Sequence, residues 1–130
     1  MIEHNHETRI IPLDGRPHLP PDIRLWFGDP RGHWEGDTLV VDTTNFTNRT
    51  KFKGADENLH LTERFRRIGP EMLLYRFTVD DPTAFTASWT GEYRLIASPD
   101  RIYEYACHEG NYGLAGVLSG ARAAEKNASR

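Results

Sequence analysis

Two neighbouring segments in the middle of the chain alternate between apolar and polar residues, and this alternation constrains the fold more than any other feature. They are LHLTERFRRI and MLLYRFTVDD, separated by Gly69-Pro70-Glu71. A period of two is typical of strands, and a three-residue connection suits a β-hairpin. If Ile68 faces Met72, one face of the hairpin collects six large side chains, namely Leu61, Phe65, Leu73, Tyr75, Phe77 and Val79. Sliding the pairing by one residue would mix the two faces, so the sequence predicts this register.

Further strands are predicted on both sides of this hairpin. Trp34 to Phe46 is rich in β-branched residues, and Gly36-Asp37 within it is either a bulge or a tight turn. TRIIPL and the pair GEYRLIAS and RIYEYACH are also interpreted as strands, whereas IRLWFG is either a strand or an aromatic plug. Six or seven strands with short connections indicate a mainly β fold, either an antiparallel β-barrel of lipocalin-like general shape or a strongly bent sheet.

The C-terminal region changes to a helical period. Leu114, Val117, Leu118 and Ala121 recur at helical spacing, and Asn111 is a plausible N-cap. One C-terminal α-helix is therefore predicted over residues 112–126.

Composition bounds the organisation and the partners. A chain of 130 residues suits one β-rich domain, with a partly irregular segment over residues 1–22 where three prolines cluster. A formal charge of −3 argues against nucleic acid as a partner, and no apolar run approaches the roughly 20 residues that span a bilayer. A single cysteine excludes an internal disulfide framework.

Four stretches carry a resemblance to a known family: GDPRGHWEGDTLVVDTTNF, LHLTERFRR, FTVDDPTAFT and YEYACHEGNYGL. Together they resemble a family of bacterial proteins with no established activity, whose members are often exported and longer at the N-terminus. The resemblance implies a periplasmic or exported location if this chain is trimmed, and a cytoplasmic one otherwise. It implies no catalytic residue.

Proton transfer is the chemistry that the polar residues suggest first. Glu63 is predicted to face the core, where desolvation favours its neutral form, and His108 falls where the last strand meets the helix. Tyr105 and Glu109 share a strand face beside His108 and complete the candidate catalytic set. The alternatives are that an arginine neutralises Glu63 and that His108 only bonds loop backbone. Cys107 is predicted to be a buried structural residue rather than a nucleophile paired with His108.

Five further residues are candidate ligand contacts: Trp34, Trp89, Tyr112, Phe77 and His60. The aromatic members either line a cavity or simply fill the interior of a barrel. In the predicted register His60 lies across from Asp80, which is either a general-base pair or an ordinary cross-strand contact.

These patterns predict a small acid–base enzyme, of isomerase, lyase or hydrolase type, acting on a modest, partly apolar molecule in a β-barrel cavity. The alternative is a non-catalytic domain for ligand binding or assembly. A histidine and carboxylate metal site is a third reading, but no metal ligand is assigned, because the histidines are scattered and Tyr112 stands where a zinc-protease helix needs histidine. No cofactor is expected, a small-molecule ligand is the expected partner, and homo-oligomerisation is left open.

Overall fold

The structure is a computed structural model that describes residues 8–49, 51–100, 110 and 112–128. The chain divides into two compact units, one spanning Thr8–Arg101 and one containing the C-terminal helix. None of the helical residues in the described ranges forms a segment with the length and hydrophobicity of a membrane span.

A single antiparallel sheet dominates the larger unit. Within the described residues it has five strands in chain order: β1 (Asp29–Glu35), β2 (Thr38–Thr44), β3 (His60–Gly69), β4 (Met72–Asp80) and β5 (Trp89–Ile96). Each strand pairs with the next, so β1 and β5 lie at the two edges of the sheet. The prediction of a mainly β, antiparallel fold is confirmed. These strands do not close into a barrel, so the barrel and its lipocalin-like shape stay predictions.

The β3–β4 hairpin has the predicted register along most of its length. Leu61 opposes Val79, Glu63 opposes Phe77, and Phe65 opposes Tyr75. The prediction is wrong at the turn, because Gly69 rather than Ile68 faces Met72 and the register shifts between Arg67 and Gly69. A bulge therefore absorbs Ile68, and the alternation of the strand proper is preserved.

The two faces of the sheet differ in chemistry because side chains alternate along each strand. One face, here called the apolar face, carries these residues: Leu39, Val41, Leu61, Glu63, Phe65, Tyr75, Phe77, Val79 and Tyr93. The opposite face, the polar face, carries Asp42, His60, Thr62, Arg64 and Arg76. A buried cluster of Phe46, Ala55, Leu59, Phe77 and Val79 packs at one end of the apolar face.

The N-terminal segment crosses the β1 edge without forming a strand of its own. The Gly32 amide donates to the Pro12 carbonyl, and the side chains of Ile11 and Leu13 occupy the space where a Gly32 side chain would project. The expected TRIIPL strand is therefore wrong over residues 8–13. In IRLWFG, Leu25 makes a single bridge to Phe46.

Asn45 fixes the next part of this segment. Its backbone has a left-handed φ of 59°, and its amide nitrogen donates to the carbonyls of Leu19, Pro20 and Ile23 at 2.9–3.1 Å. An asparagine tolerates this φ better than most residues, and its amide replaces backbone pairing that the irregular loop lacks.

Two further predictions can be compared with the structure. Gly36 has a φ of 60°, and Glu35 opposes Thr38, so Gly36-Asp37 is a tight turn rather than a bulge. The predicted helix is confirmed as α1 (Gly113–Ala128), none of whose residues is buried. The predicted strand RIYEYACH lies outside the described residues.

Candidate functional site

The apolar face contains one buried carboxylate, and two neighbouring side chains bind it. Glu63 is only 5% exposed. Arg9 of the N-terminal segment donates from Nη2 to Glu63 Oε2, and the Tyr75 hydroxyl donates to Glu63 Oε1 at 2.9 Å. The core-facing position predicted for Glu63 is thus confirmed. The arginine that neutralises it comes from outside the sheet.

A groove of about 420 Å³ lies over this part of the apolar face. Six of its described lining residues are aromatic: Phe27, Phe46, Phe52, Tyr75, Phe77 and Tyr93. The remaining lining is aliphatic or cationic, from Leu59, Leu61, Arg9 and Lys51. A concave, mostly apolar surface with a few polar groups is the usual form of a small-molecule site.

The phenol of Tyr75 stays neutral over a wide range of pH. Burial is the largest cause, and the charge of Glu63 together with the hydrogen bond to it adds to the effect, so the pKa of Tyr75 is raised well above its usual range. A neutral phenol that already donates to a carboxylate is a polar contact for a ligand rather than a general base.

Of the aromatic residues predicted to contact a ligand, Phe77 lines the groove, whereas Trp89 and Trp34 do not. Phe77 lines the groove, and its ring covers the place where a side chain at Gly91 would project. Trp89 packs edge-on against Phe77 and Phe85, at centroid distances of 5.6 and 5.9 Å. It supports the groove from the side. Trp34 is 61% exposed on the edge strand β1 and does not line the groove.

His60 belongs to a different network on the polar face. The predicted register is confirmed here, because His60 and Asp80 are cross-strand partners. The carboxylate that His60 contacts is nevertheless that of Asp42, whose Oδ2 lies 2.6 Å from His60 Nε2. The other oxygen of Asp42 lies 3.0 Å from His18 Nε2. One carboxylate therefore holds two imidazoles, which orients each ring.

Asp29 extends this network into the protein. Its Oδ2 lies 3.2 Å from His18 Nδ1 and accepts from the Leu19 amide, and its Oδ1 accepts from Arg31 at 2.5 Å. Burial alone would raise the pKa of Asp29. The hydrogen bonds from Leu19, Arg31 and His18 outweigh that effect and lower it. Asp29 thus anchors residues 18–19 as a charged group.

The other predicted site residues lie in the smaller unit or outside the described residues, so their positions relative to Glu63 stay predictions. Tyr112 precedes α1 in the smaller unit and is 83% exposed. Tyr105, His108 and Glu109 lie outside the described residues, so the pairing of Glu63 with His108 stays a prediction. Among the described residues, no group of three or more histidine, cysteine, aspartate or glutamate side chains is arranged to hold a metal ion.

Sequence reasoning missed Arg9, Asp42 and His18. Arg9 is 54 positions from Glu63, and no local pattern marks that pairing. Asp42 had a usable signal, because it interrupts the β-branched run TLVVDTT at a position that alternation assigns to the polar face.

The described residues of the larger unit also line two hollows of comparable size. One of about 350 Å³ adjoins the β3–β4 turn, between Arg67 and Ile96, and one of about 460 Å³ lies between the N-terminal segment and residues 25–31. The first has no aromatic residue in its described lining, and the second shares Arg9 and Phe27 with the groove but lacks Tyr75. The groove over Tyr75 is therefore the candidate site.

Comparison of the chain with protein-family models, with curated proteins and with solved structures found no match. The family resemblance drawn from the sequence therefore stays a prediction, and the function is argued from the site itself.

Proposed function

We propose that this protein binds a modest, partly apolar small molecule in the groove over Tyr75. The observation that supports the proposal is the lining of the groove. The groove has a volume of about 420 Å³ and a mostly aromatic lining, to which Arg9 and Tyr75 of the Arg9–Glu63–Tyr75 network also belong. Pockets of roughly 300–1,000 Å³ with apolar walls and a few fixed polar groups bind most small ligands.

Binding is favoured over proton transfer at Glu63 because both carboxylate oxygens already accept hydrogen bonds. Protonating the Glu63 carboxylate would remove the charge that pairs with Arg9. In this role Glu63 is a positioning residue that holds the Tyr75 hydroxyl and the Arg9 guanidinium at the groove.

The test is titration of the native protein with N-phenyl-1-naphthylamine, an uncharged apolar fluorophore. Saturable binding at one site is expected, and Tyr93→Ala should weaken it about tenfold, because a stacked aromatic contact is lost. Trp34→Ala is the matched control, since Trp34 and Tyr93 lie on the same face and are 61% and 58% exposed. Equal loss in both variants, or no saturable binding, would overturn the proposal.

Acid–base catalysis is a second candidate, favoured by the contact of His60 with Asp42. A carboxylate that fixes an imidazole is the arrangement of a general base. A screen for ester hydrolysis and for proton exchange at ketones is expected to reveal turnover that His60→Gln abolishes. His33→Gln is the control, because His33 also bonds a carboxylate, that of Glu35, on the polar face. Turnover unaffected by His60→Gln, or no turnover, removes this candidate.

Barrel closure remains a proposal of its own, because closing the sheet would enclose the groove. Slow release of a bound ligand is expected from an enclosed cavity and fast release from an open groove. Stopped-flow release of the fluorophore distinguishes the two.

A further inference from the structure

The charged residues among the described lining of the groove are all positive. Among its described lining residues, Arg9 and Lys51 are cationic and none is acidic. The carboxylates that pair with these cations are those of Glu63, which is buried beneath the groove, and Asp56, which does not line it. From the described part of the lining, a ligand therefore meets ammonium and guanidinium groups but no carboxylate.

These cations keep donor capacity beyond the contacts just described. A guanidinium carries five N–H donors and an ammonium three. Arg9 contacts Glu63 through Nη2, and Lys51 contacts Asp56 through Nζ at 2.5 Å. Because the two partners hold the side chains at the groove, an anionic oxygen gains donors that are already in position.

The rings of Tyr75, Phe77 and Tyr93, here called the aromatic floor of the groove, are suited to binding a flat molecule. The rings of Tyr75 and Phe77 lie 5.6 Å apart with an angle of 25° between their planes. Phe77 and Tyr93 lie 5.9 Å apart at 11°, and Tyr75 and Tyr93 lie 6.4 Å apart at 17°. These three rings are nearly parallel, so a planar ring can continue the stack with offset geometry.

From these two observations we infer that the groove selects flat aromatic anions, such as aryl carboxylates or aryl sulfonates. The ring of the ligand stacks on the floor, and its anionic group bonds Lys51 and Arg9. This inference rests on the proposed function, since it assigns a ligand class to the same groove.

A pair of related probes tests the inference. 8-Anilinonaphthalene-1-sulfonate and N-phenyl-1-naphthylamine share one aromatic scaffold, and only the first carries an anion. Lys51→Gln should weaken binding of the sulfonate at least about fivefold and change binding of the uncharged probe less than about twofold, because only the charged contact is removed. Lys53→Gln is the matched control, because Lys53 is exposed in the same loop and does not line the groove.

Arg9→Gln should produce the same selective loss, with Arg16→Gln as its control in the same segment. If Arg9→Gln unfolds the protein, two measurements still test the preference for anions. One is the effect of Lys51→Gln, and the other is the salt dependence of binding, because only sulfonate binding should weaken as ionic strength rises. Equal effects of Lys51→Gln on both probes, or none on either, would overturn the preference for anions while leaving the groove as an apolar binding site. Failure of both probes to bind would instead remove the proposed function.

Discussion

The ring of Phe77 occupies the space directly above Gly91, its cross-strand partner on β5. A Cβ atom added at Gly91 would lie 2.3 Å from the Phe77 ring, which is far inside van der Waals contact. The absence of a side chain at position 91 therefore lets Phe77 lie against β5 and form part of the groove floor.

Gly91→Ala should lower the free energy of unfolding by about 1–3 kcal/mol, because the ring must leave its rotamer or the strands must separate. Urea denaturation measures the change. Gly69→Ala is the control, since a Cβ there meets Met72 Cβ at an ordinary 3.7 Å and should cost much less. Adding Phe77→Leu to Gly91→Ala should recover part of the loss, and a fully additive pair would contradict the steric explanation.

Glu63→Gln should destabilise the protein by about 1–3 kcal/mol, because a buried ion pair loses its charge while Arg9 can still reach water. The side chain of Arg9 is 26% exposed, which limits the cost. The comparison is Glu57→Gln, which changes an exposed glutamate and should alter the unfolding free energy by less than about 0.5 kcal/mol. Equal effects of the two substitutions would show that the Arg9–Glu63 pair contributes nothing measurable.

The raised pKa of Tyr75 predicts a loss of folding stability at alkaline pH. Its pKa is raised in the folded protein, so its contribution is fully present below the ordinary tyrosine value near 10.0 and is lost as pH rises toward the folded value. Because Tyr75 is only partly buried, the loss should be at most about 1 kcal/mol between roughly pH 9 and 11.

The variant Tyr75→Phe should lack this part of the alkaline decline, as measured by denaturation at each pH. Tyr112→Phe is its control, because Tyr112 is almost fully exposed and its removal should leave the decline unchanged. In the same series, tyrosinate absorbance should show a late-ionising phase that disappears in Tyr75→Phe.

Asn45→Asp should be more destabilising than Asn45→Gly. Both substitutions remove the donor to three carbonyls, but aspartate also places a buried charge against those oxygens, whereas glycine relieves the left-handed φ. We expect about 2–4 kcal/mol for aspartate and about 1 kcal/mol less for glycine by urea denaturation. Asn48→Asp, at an exposed position, should be nearly neutral. If Asn45→Gly were the more destabilising of the two, neither the buried charge nor the left-handed φ would explain the role of Asn45.

The hairpin register was predictable because it depends on local alternation, which the 59–68 and 72–81 segments show without ambiguity. The bulge at Ile68 was not predictable, because counting residues between two runs does not reveal which residue leaves the pairing. The partner of His60 was missed for a related reason. Residues on β3 have neighbours on both sides, and the sequence specified the pairing of β3 with β4 but not with β2.

The candidate site was predictable only in part. Glu63 and Phe77 were identified because period-two logic places them on the apolar face, and that logic holds wherever a strand persists. Arg9 and Lys51 come from irregular segments, whose positions depend on contacts such as those of Asn45 and Asp29 rather than on any repeating pattern. Trp34 was predicted as a ligand contact because it is a large aromatic residue in a clear strand pattern, but its side chain is 61% exposed. The strand pattern alone therefore does not show which aromatic residues line the groove.

Strand β3 contributes Glu63 to one face and His60 to the other, and this has a consequence for how the gene can change. Point substitutions can alter either network separately, but deleting Leu61 or Thr62 would place His60 and Glu63 on the same face, so at least one of the two networks would be lost. An insertion or deletion beside Ile68 meets a bulge that already accommodates one unpaired residue. Natural length variation in this hairpin is therefore expected at its turn end, with the β3 segment before it constant in length.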